Sequence, residues 1–426
     1  MLQANSAHAG HIHKRKIKKQ FKHSVILNDH FTGFALYDMD NQKMIWSQNA
    51  DKFFTPASNT KLFTFYACLN MLGDSVPALK YVIHNDSLIF WGTGDPSFLH
   101  SDLNGSKGFN FLKNSGKKLF FSSGNFSGTF YGDGWAWDDY NDYYQAEING
   151  LPIEDNVATF YADKNDSLQV KPSYLKRFLK CDSNFRPSHF KVQRDFVSNT
   201  FVYPQANPPK NFSQDVPWKV SDSLTLELLR DTLKLPITGI SLPLPDSVKT
   251  IYDENADTVY RHMLQPSDNF IAEQLLLVCS SAKFKALNTD STISYAKAHF
   301  LNDLPDTPQW VDGSGLSRRN LFTPRDMIAL LCKISDKVKN EELLHSLLPE
   351  GGVAGTIRHA YKTDGGKPFI WAKTGSLSNN YNQSGYFITR RGRRLAFSFM
   401  NNNFTRPTGV VRDEMVRIIT WIHENY

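Results

Sequence analysis

The sequence predicts an α+β fold: an antiparallel sheet with strands from both chain ends, flanked by helices and interrupted by a long β-rich insertion. Three observations predict it. A pair of β-leaning runs stands near each terminus, and apolar residues at helical spacing recur between them. From about residue 81 to 219 the texture changes to short β-leaning runs separated by glycine- and asparagine-rich turns.

Taken in order, residues 17–27 are compatible with a helix. Thr32-Gly33-Phe34-Ala35-Leu36-Tyr37-Asp38 and Lys43-Met44-Ile45-Trp46-Ser47 read as strands joined through Asp40-Asn41, a hairpin signal. Next come Pro56, a small polar residue at Ser58 and an apolar run from Leu62 to Leu69, the pattern of a helix start. Inside the insertion, residues 86–91, 118–121 and 127–131 read as strands. Pro204, Pro208, Pro209 and Pro217 punctuate its end. Helical patterning returns at 223–229, 267–279, 324–334 and 412–423. Residues 384–389 and 394–399 flank Arg390-Arg391-Gly392-Arg393 as a second hairpin. The expected organisation is a basic flexible tail over 1–20, a main domain from 21–80 plus 220–426, and an inserted β-rich module over 81–219 of one or two subdomains. No internal repeat is visible.

The chain has 426 residues, 41% hydrophobic and 21% charged, the composition of a globular protein larger than one core usually serves. Its formal net charge is +6, with Lys and Arg scattered except at the N-terminus. No basic–aromatic interleaving or nucleic-acid motif accompanies that charge, so no nucleic-acid partner is expected. Cys68, Cys181, Cys279 and Cys332 lack C-x-x-C spacing, and three of them lie in apolar helical stretches, so neither a metal nor a cofactor is implied. His8, His11, His13 and the run Lys14-Arg15-Lys16-Ile17-Lys18-Lys19 read as a disordered leader-like tail, with attraction to an anionic membrane surface, as peripheral membrane contact, or to a metal as the functional alternative. No apolar signal segment precedes it and no stretch reaches transmembrane length.

Three motifs carry the chemistry: Ser58-Asn59-Thr60-Lys61, Ser267-Asp268-Asn269 and Lys373-Thr374-Gly375. The first pattern alone is weak, because S-x-x-K also begins at Ser115, Ser173, Ser280 and Ser294. S-x-N recurs at Ser47, Ser123 and Ser378, whereas K-T-G occurs once. Order and context raise their weight. A serine at a helix N-terminus sits where free N–H groups favour developing negative charge, and Lys61 lies one turn on, facing the same way. Taken alone, Ser58 and the Ser267 cluster would pass for helix caps.

Read together, the trio resembles the serine nucleophile, relay and carboxylate-binding strand of penicillin-binding serine acyltransferases. Their surroundings narrow the resemblance: Phe54-Thr55-Pro56-Ala57 before Ser58, Gly94-Asp95-Pro96-Ser97, Gly134-Trp135-Ala136-Trp137-Asp138-Asp139, Asp312-Gly313-Ser314-Gly315-Leu316-Ser317-Arg318-Arg319-Asn320 and Ala372-Lys373-Thr374-Gly375-Ser376. These are similar to the penicillin-binding protein 4-type D-alanyl-D-alanine carboxypeptidases/endopeptidases, over about residues 34–403. The long gap between the first two motifs (267 − 58 = 209 positions) is itself a mark of that family. The resemblance implies a peptidase domain like class A β-lactamases, with domains inserted after the first motif. It also implies an exported, periplasmic or otherwise extracytoplasmic enzyme acting on peptidoglycan stem peptides and acylated by β-lactams.

Under that resemblance, Ser58 is the nucleophile and Lys61 its base. A serine hydroxyl needs such a partner, and a lysine of ordinary pKa about 10.4 needs burial and a second cation, Lys373, to serve near neutral pH. Ser267 would pass a proton to the leaving amine, and Asn269 would hold Lys61 and the substrate amide. Lys373 and Thr374 would face the substrate carboxylate, Gly375 would let its backbone lie close, and the N–H groups of Ser58 and Ser376 are oxyanion-hole candidates. Asp138 or Asp139, among Trp135, Trp137, Tyr143 and Tyr144, would recognise the stem-peptide amino group, with a solvated acidic loop as the plain alternative. Asp312-Gly313-Ser314-Gly315 is expected to shape a loop at the cleft. Rival readings are a serine β-lactamase, for which no deacylating glutamate is identifiable, and a non-catalytic peptidoglycan-binding or sensing homologue. Carboxypeptidase and endopeptidase action are not distinguished.

Overall fold

The computed structural model describes residues 14–363 and 365–426; His8, His11 and His13 lie outside them. The chain forms two compact units. The first takes the described chain up to Asn70, then Tyr260–Asp268 and Ala296–Tyr426; the second takes Met71–Val259 and Asn269–Tyr295.

The first unit is built on a five-stranded antiparallel sheet. Its strands are β1 (Phe31–Asp38), β2 (Lys43–Gln48), β3 (Ile370–Leu377), β4 (Asn380–Ile388) and β5 (Arg394–Asn402), in spatial order β3-β4-β5-β1-β2. Strand β1 pairs with β5 in the register Phe34↔Phe399 and Leu36↔Phe397, so the chain ends meet at the sheet centre. Both β4 and β5 are buried along nearly their whole length, which requires cover on both faces. One face packs on α1 (Lys14–Lys22) and the C-terminal helix α4 (Thr408–Asn425), through Ile17, Phe21, Phe34, Phe399, Ile418 and Ile422. Against β1 and β5 also packs α3 (Pro324–Val338). Its start is set by Thr323, whose side chain accepts the Asp326 N–H, and by Pro324 in the first turn.

The expected tail over 1–20 is corrected from Lys14 onward. Ile17 and Phe21, four residues apart, form one helical stripe, and the Phe21 ring lies 4.8 Å from Phe34 and 4.6 Å from Trp46. The helix expected over 17–27 therefore starts earlier and ends at Lys22, and a short 3₁₀ turn follows at Leu27–Asp29.

The second unit exceeds the expected 81–219, because residues 71–80, 220–259 and 269–295 join it. It holds a mixed five-stranded sheet in the order Ile237–Ile240, Lys118–Ser122, Ser87–Gly92, Ser75–His84, Lys249–Asn255, and two three-stranded sheets. The strand Ser75–His84 escapes sequence reading because Pro77 lies inside it. The ladder tolerates that proline through register shifts around Tyr252, its partner across the pair. Residues 127–131, expected as a strand, are loop: only Phe126 bridges, to Leu287, and the Phe130 carbonyl accepts the Ile148 N–H at 2.9 Å. Among the described residues, no helix is long and apolar enough to cross a membrane.

Candidate active site

The site begins at a tight turn. Sequence reading put Ser58 at a helix start; the structure places it in a 3₁₀ turn, Ala57–Thr60, running straight into α2 (Lys61–Met71). Ala57 has φ +49°, a left-handed conformation a residue with a Cβ rarely adopts, so its surroundings must impose it. They do so from both sides. The Thr60 hydroxyl donates to the Ala57 carbonyl at 2.8 Å. Three residues before the serine, Thr55 is gripped by the sheet: Asn402 Oδ1 accepts its N–H at 2.6 Å, and Asn382 Nδ2 donates to its carbonyl at 3.0 Å. Gly375 completes the hold, since a Cβ there would collide with the Pro56 carbonyl and crowd Asn59. This glycine therefore serves the fold of the Ser58 turn, beyond the substrate clearance that the motif suggested.

Lys61 is fully buried, and its Nζ donates to Ser58 Oγ at 3.0 Å and to the Ser314 carbonyl at 2.9 Å. That carbonyl is placed by the Asp312 loop. The buried Asp312 carboxylate accepts the Gly315 N–H (2.9 Å), the Ser317 N–H (2.7 Å) and Asn320 Nδ2 (2.7 Å), while Thr64 on α2 donates to the Gly313 carbonyl (2.7 Å). Gly315, at φ +87°, lies so close that any side chain would strike the Ala57 carbonyl. The loop thus buttresses both the Ser58 turn and Lys61.

Lys373 is also fully buried; its Nζ donates to Ser267 Oγ at 2.7 Å and to the Thr374 carbonyl at 2.8 Å. Burial first, and then the Lys61 charge, push the Lys373 ammonium well below the ordinary lysine range. Two buried amines thus lie within electrostatic reach of each other, each bonded to a serine hydroxyl, an arrangement chemically able to relay a proton. Ser267 has φ +70°, another strained position. Its segment is braced by Gln265, whose carbonyl accepts the Thr356 N–H at 3.2 Å and whose Nε2 donates to the Ser346 carbonyl at 3.0 Å.

Strand β3 is the sheet's outer strand, so one of its edges is available for a substrate backbone. The Ala372 N–H points outward to the Pro349 carbonyl at 3.0 Å. Strand alternation aims the N–H groups of Thr374 and Ser376 along the same edge, and the Ser376 side chain is exposed there. The Thr374 hydroxyl donates to Thr356 Oγ1 at 2.8 Å. Sequence reading missed Thr356; its one signal was the glycine-rich run Gly351-Gly352-Val353-Ala354-Gly355 just before it. The three asparagines Asn382, Asn401 and Asn402, buried in the sheet, were missed as well.

Ser58, Lys61, Ser267, Lys373, Thr374, Gly375 and Ser376 thus belong to one unit, whereas Asn269, Asp138 and Asp139 belong to the other. Asn269 opens the helix Asn269–Lys283, and its Nδ2 donates to the Tyr144 carbonyl at 3.0 Å. Asp138 and Asp139 sit in a 3₁₀ turn, Trp137–Asn141, with Asp138 exposed. The Tyr144 hydroxyl donates to Asp142 at 3.1 Å; burial, then Asp142 and Asp139, raise its pKa. Asp142 therefore joins the acidic–aromatic cluster read from the sequence.

Known proteins agree with this architecture. The model of the D-Ala-D-Ala carboxypeptidase 3 (S13) family matches residues 14–189 and 255–423. The chain is 27% identical over 434 residues to D-alanyl-D-alanine carboxypeptidase DacB of Haemophilus influenzae, covering 88% of this chain and 85% of that protein. It is 23% identical to penicillin-sensitive carboxypeptidase A of Dictyostelium discoideum, over 88% of this chain and 84% of the relative. The crystal structure of penicillin binding protein 4 (dacB) from Haemophilus influenzae superposes with a TM-score of 0.76 at 20% identity, over 97% of this chain and all of that one. With a family match over most of its length, the chain belongs to the D-Ala-D-Ala carboxypeptidase 3 (S13) family and is a serine DD-peptidase.

Proposed function

We propose that Ser58 is the nucleophile, forming an acyl-enzyme with the penultimate D-alanine of a peptidoglycan stem peptide. The observation that carries the reading is the contact of the buried Lys61 amine with Ser58 Oγ at 3.0 Å, beside a second buried amine bonded to Ser267. When neutral, Lys61 accepts the serine proton as Oγ attacks the carbonyl. The proton then passes through Ser267 to the leaving amine as the peptide bond breaks, and water releases the acyl group. The N–H groups of Ser58 and Ser376 receive the oxyanion, where one such donor is typically worth about 3 kcal/mol. Lys373 and Thr374 bind the terminal carboxylate.

The leaving group is a free D-alanine or a cross-linking amine, with Asp138 or Asp139 recognising the amino group of the stem peptide. The residues between the first two motifs form an inserted module. β-Lactams acylate the same serine, a reading supported by the penicillin sensitivity named for the Dictyostelium relative. The enzyme works outside the cytoplasm, where its polymer lies. Labelled penicillin followed by peptide mapping tests the nucleophile: the label is expected on Ser58, and a label elsewhere, or none, overturns the assignment. Mass spectrometry of digested peptidoglycan separates carboxypeptidase from endopeptidase products, and rapid penicillin turnover would instead indicate a β-lactamase.

A further inference from the structure

The helix α1 (Lys14–Lys22) carries an unusual charge. Six of its nine residues are Lys or Arg and none is acidic. The whole chain has 48 basic and 42 acidic residues, so outside this helix the two signs balance (48 − 6 = 42). The entire excess of +6 therefore resides on two and a half turns of helix. Lys14, Arg15, Lys16, Lys18, Lys19 and Lys22 are all exposed, and no carboxylate of a described residue lies within ion-pairing distance of any of them. Solvent-facing helices usually interleave acids with bases at i,i+4, because like charges at that spacing repel. Here Lys14–Lys18, Arg15–Lys19 and Lys18–Lys22 all repel, and the helix persists because Ile17 and Phe21 are buried in the sheet core.

That burial also determines how the helix can act. A free amphipathic helix binds a bilayer by inserting its apolar stripe, but this stripe is already occupied by Phe34, Trp46 and Phe399. What remains outward is a rigid cationic face, followed closely in the chain by two exposed apolar residues, Val25 (77% exposed) and Phe31 (66%). We propose that this face docks the enzyme on an anionic phospholipid surface, holding it by charge rather than by insertion. Choosing lipid over other polyanions rests on the reading of a peptidase working beside the cell wall, where an anionic bilayer is the adjacent surface. Binding is therefore reversible and strongly screened by salt, since interactions across a bilayer–water interface fade within a Debye length.

The test uses the full chain and sedimentation with phosphatidylcholine vesicles, either pure or with about one-third phosphatidylglycerol. Binding is expected only to the anionic vesicles and is expected to vanish near ~0.5 M salt. Each basic residue near such a surface is worth about a fivefold change in affinity, so the triple variant K16Q/K18Q/K19Q should bind roughly a hundredfold more weakly. Cleavage of a soluble D-Ala-D-Ala peptide should be unchanged in that variant, which shows that it is folded. Equal binding to neutral vesicles, full binding by the triple variant, no binding at low salt, or preferential binding of duplex DNA would each overturn the proposal. Because vesicle binding is measured without substrate, loss of peptidase activity with intact binding would count against the enzymatic reading alone.

Discussion

Asp312 is the residue whose replacement most directly tests how the site is held. Its buried carboxylate accepts hydrogen bonds from the Gly315 and Ser317 N–H groups and from Asn320 Nδ2, and so places the Ser314 carbonyl that receives Lys61. Asp312→Asn keeps the shape but replaces one acceptor oxygen with an NH₂ group. The oxygen can still serve Gly315 and Asn320, leaving the Ser317 N–H facing another donor. Losing one bond to a charged acceptor costs about 1.5–3 kcal/mol, and the buried unsatisfied donor adds about 1–3 kcal/mol. Relief of carboxylate desolvation offsets part of this, so a net loss of about 3 kcal/mol is expected. The loop should also relax, moving the Ser314 carbonyl, and misplacement of a catalytic group by about 1 Å typically slows chemistry by around a hundredfold. Urea unfolding measures the first effect and the rate of labelled-penicillin attachment the second. A variant destabilised by less than about 1 kcal/mol that acylates at the wild-type rate would refute the buttressing role.

Three further outcomes are expected. Lys61→Arg keeps the charge but installs a group that does not deprotonate, so acylation should fall by about 10²–10⁴; a rate within tenfold of wild type would show that the base lies elsewhere. Thr356→Val removes the acceptor of the Thr374 hydroxyl at 2.8 Å, and should raise KM for a free-carboxylate peptide about fivefold with little change in kcat. Thr356→Ser should restore it, and a C-terminally amidated peptide should not respond; an equal effect on both peptides would rule out carboxylate positioning. His345 stacks on Trp371 at 3.6 Å, and burial, partly opposed by Glu341, lowers its pKa to about 4 from 6.5. The unfolded chain therefore takes up a proton that the native state refuses. Stability is full above about pH 6.5 and falls as pH drops toward 4, by at most about 3 kcal/mol. His345→Phe should flatten that part of the stability curve, and an unchanged slope would contradict the shift.

The two terminal hairpins, the helix that follows Ser58, the Pro324 helix and the C-terminal helix were all legible, because periodicity and capping are local properties. Legibility failed where a partner distant in sequence decides the outcome. No strand was expected at Ser75–His84, which holds Pro77, and a register shift across from Tyr252 is what accommodates that proline. Residues 127–131 had strand-like composition but no strand to pair with. The basic run Lys14–Lys19 read as part of a tail because its charges outnumber its apolar residues, yet Ile17 and Phe21 suffice to hold a helix when a core of aromatics awaits them.

For the site, sequence alone determined which reactive groups are present and in what order, because a serine hydroxyl, two lysine amines and a glycine are identities that no packing can supply. Tertiary structure alone decided that both amines are buried beside serines, that Asn382, Asn402 and Asp312 hold the strained turn and its lysine, and that Thr356 backs Thr374. Desolvation and hydrogen-bond geometry depend on what surrounds a group in space, and decisive neighbours such as Asn382 beside Thr55 and Ser314 beside Lys61 are hundreds of positions away along the chain.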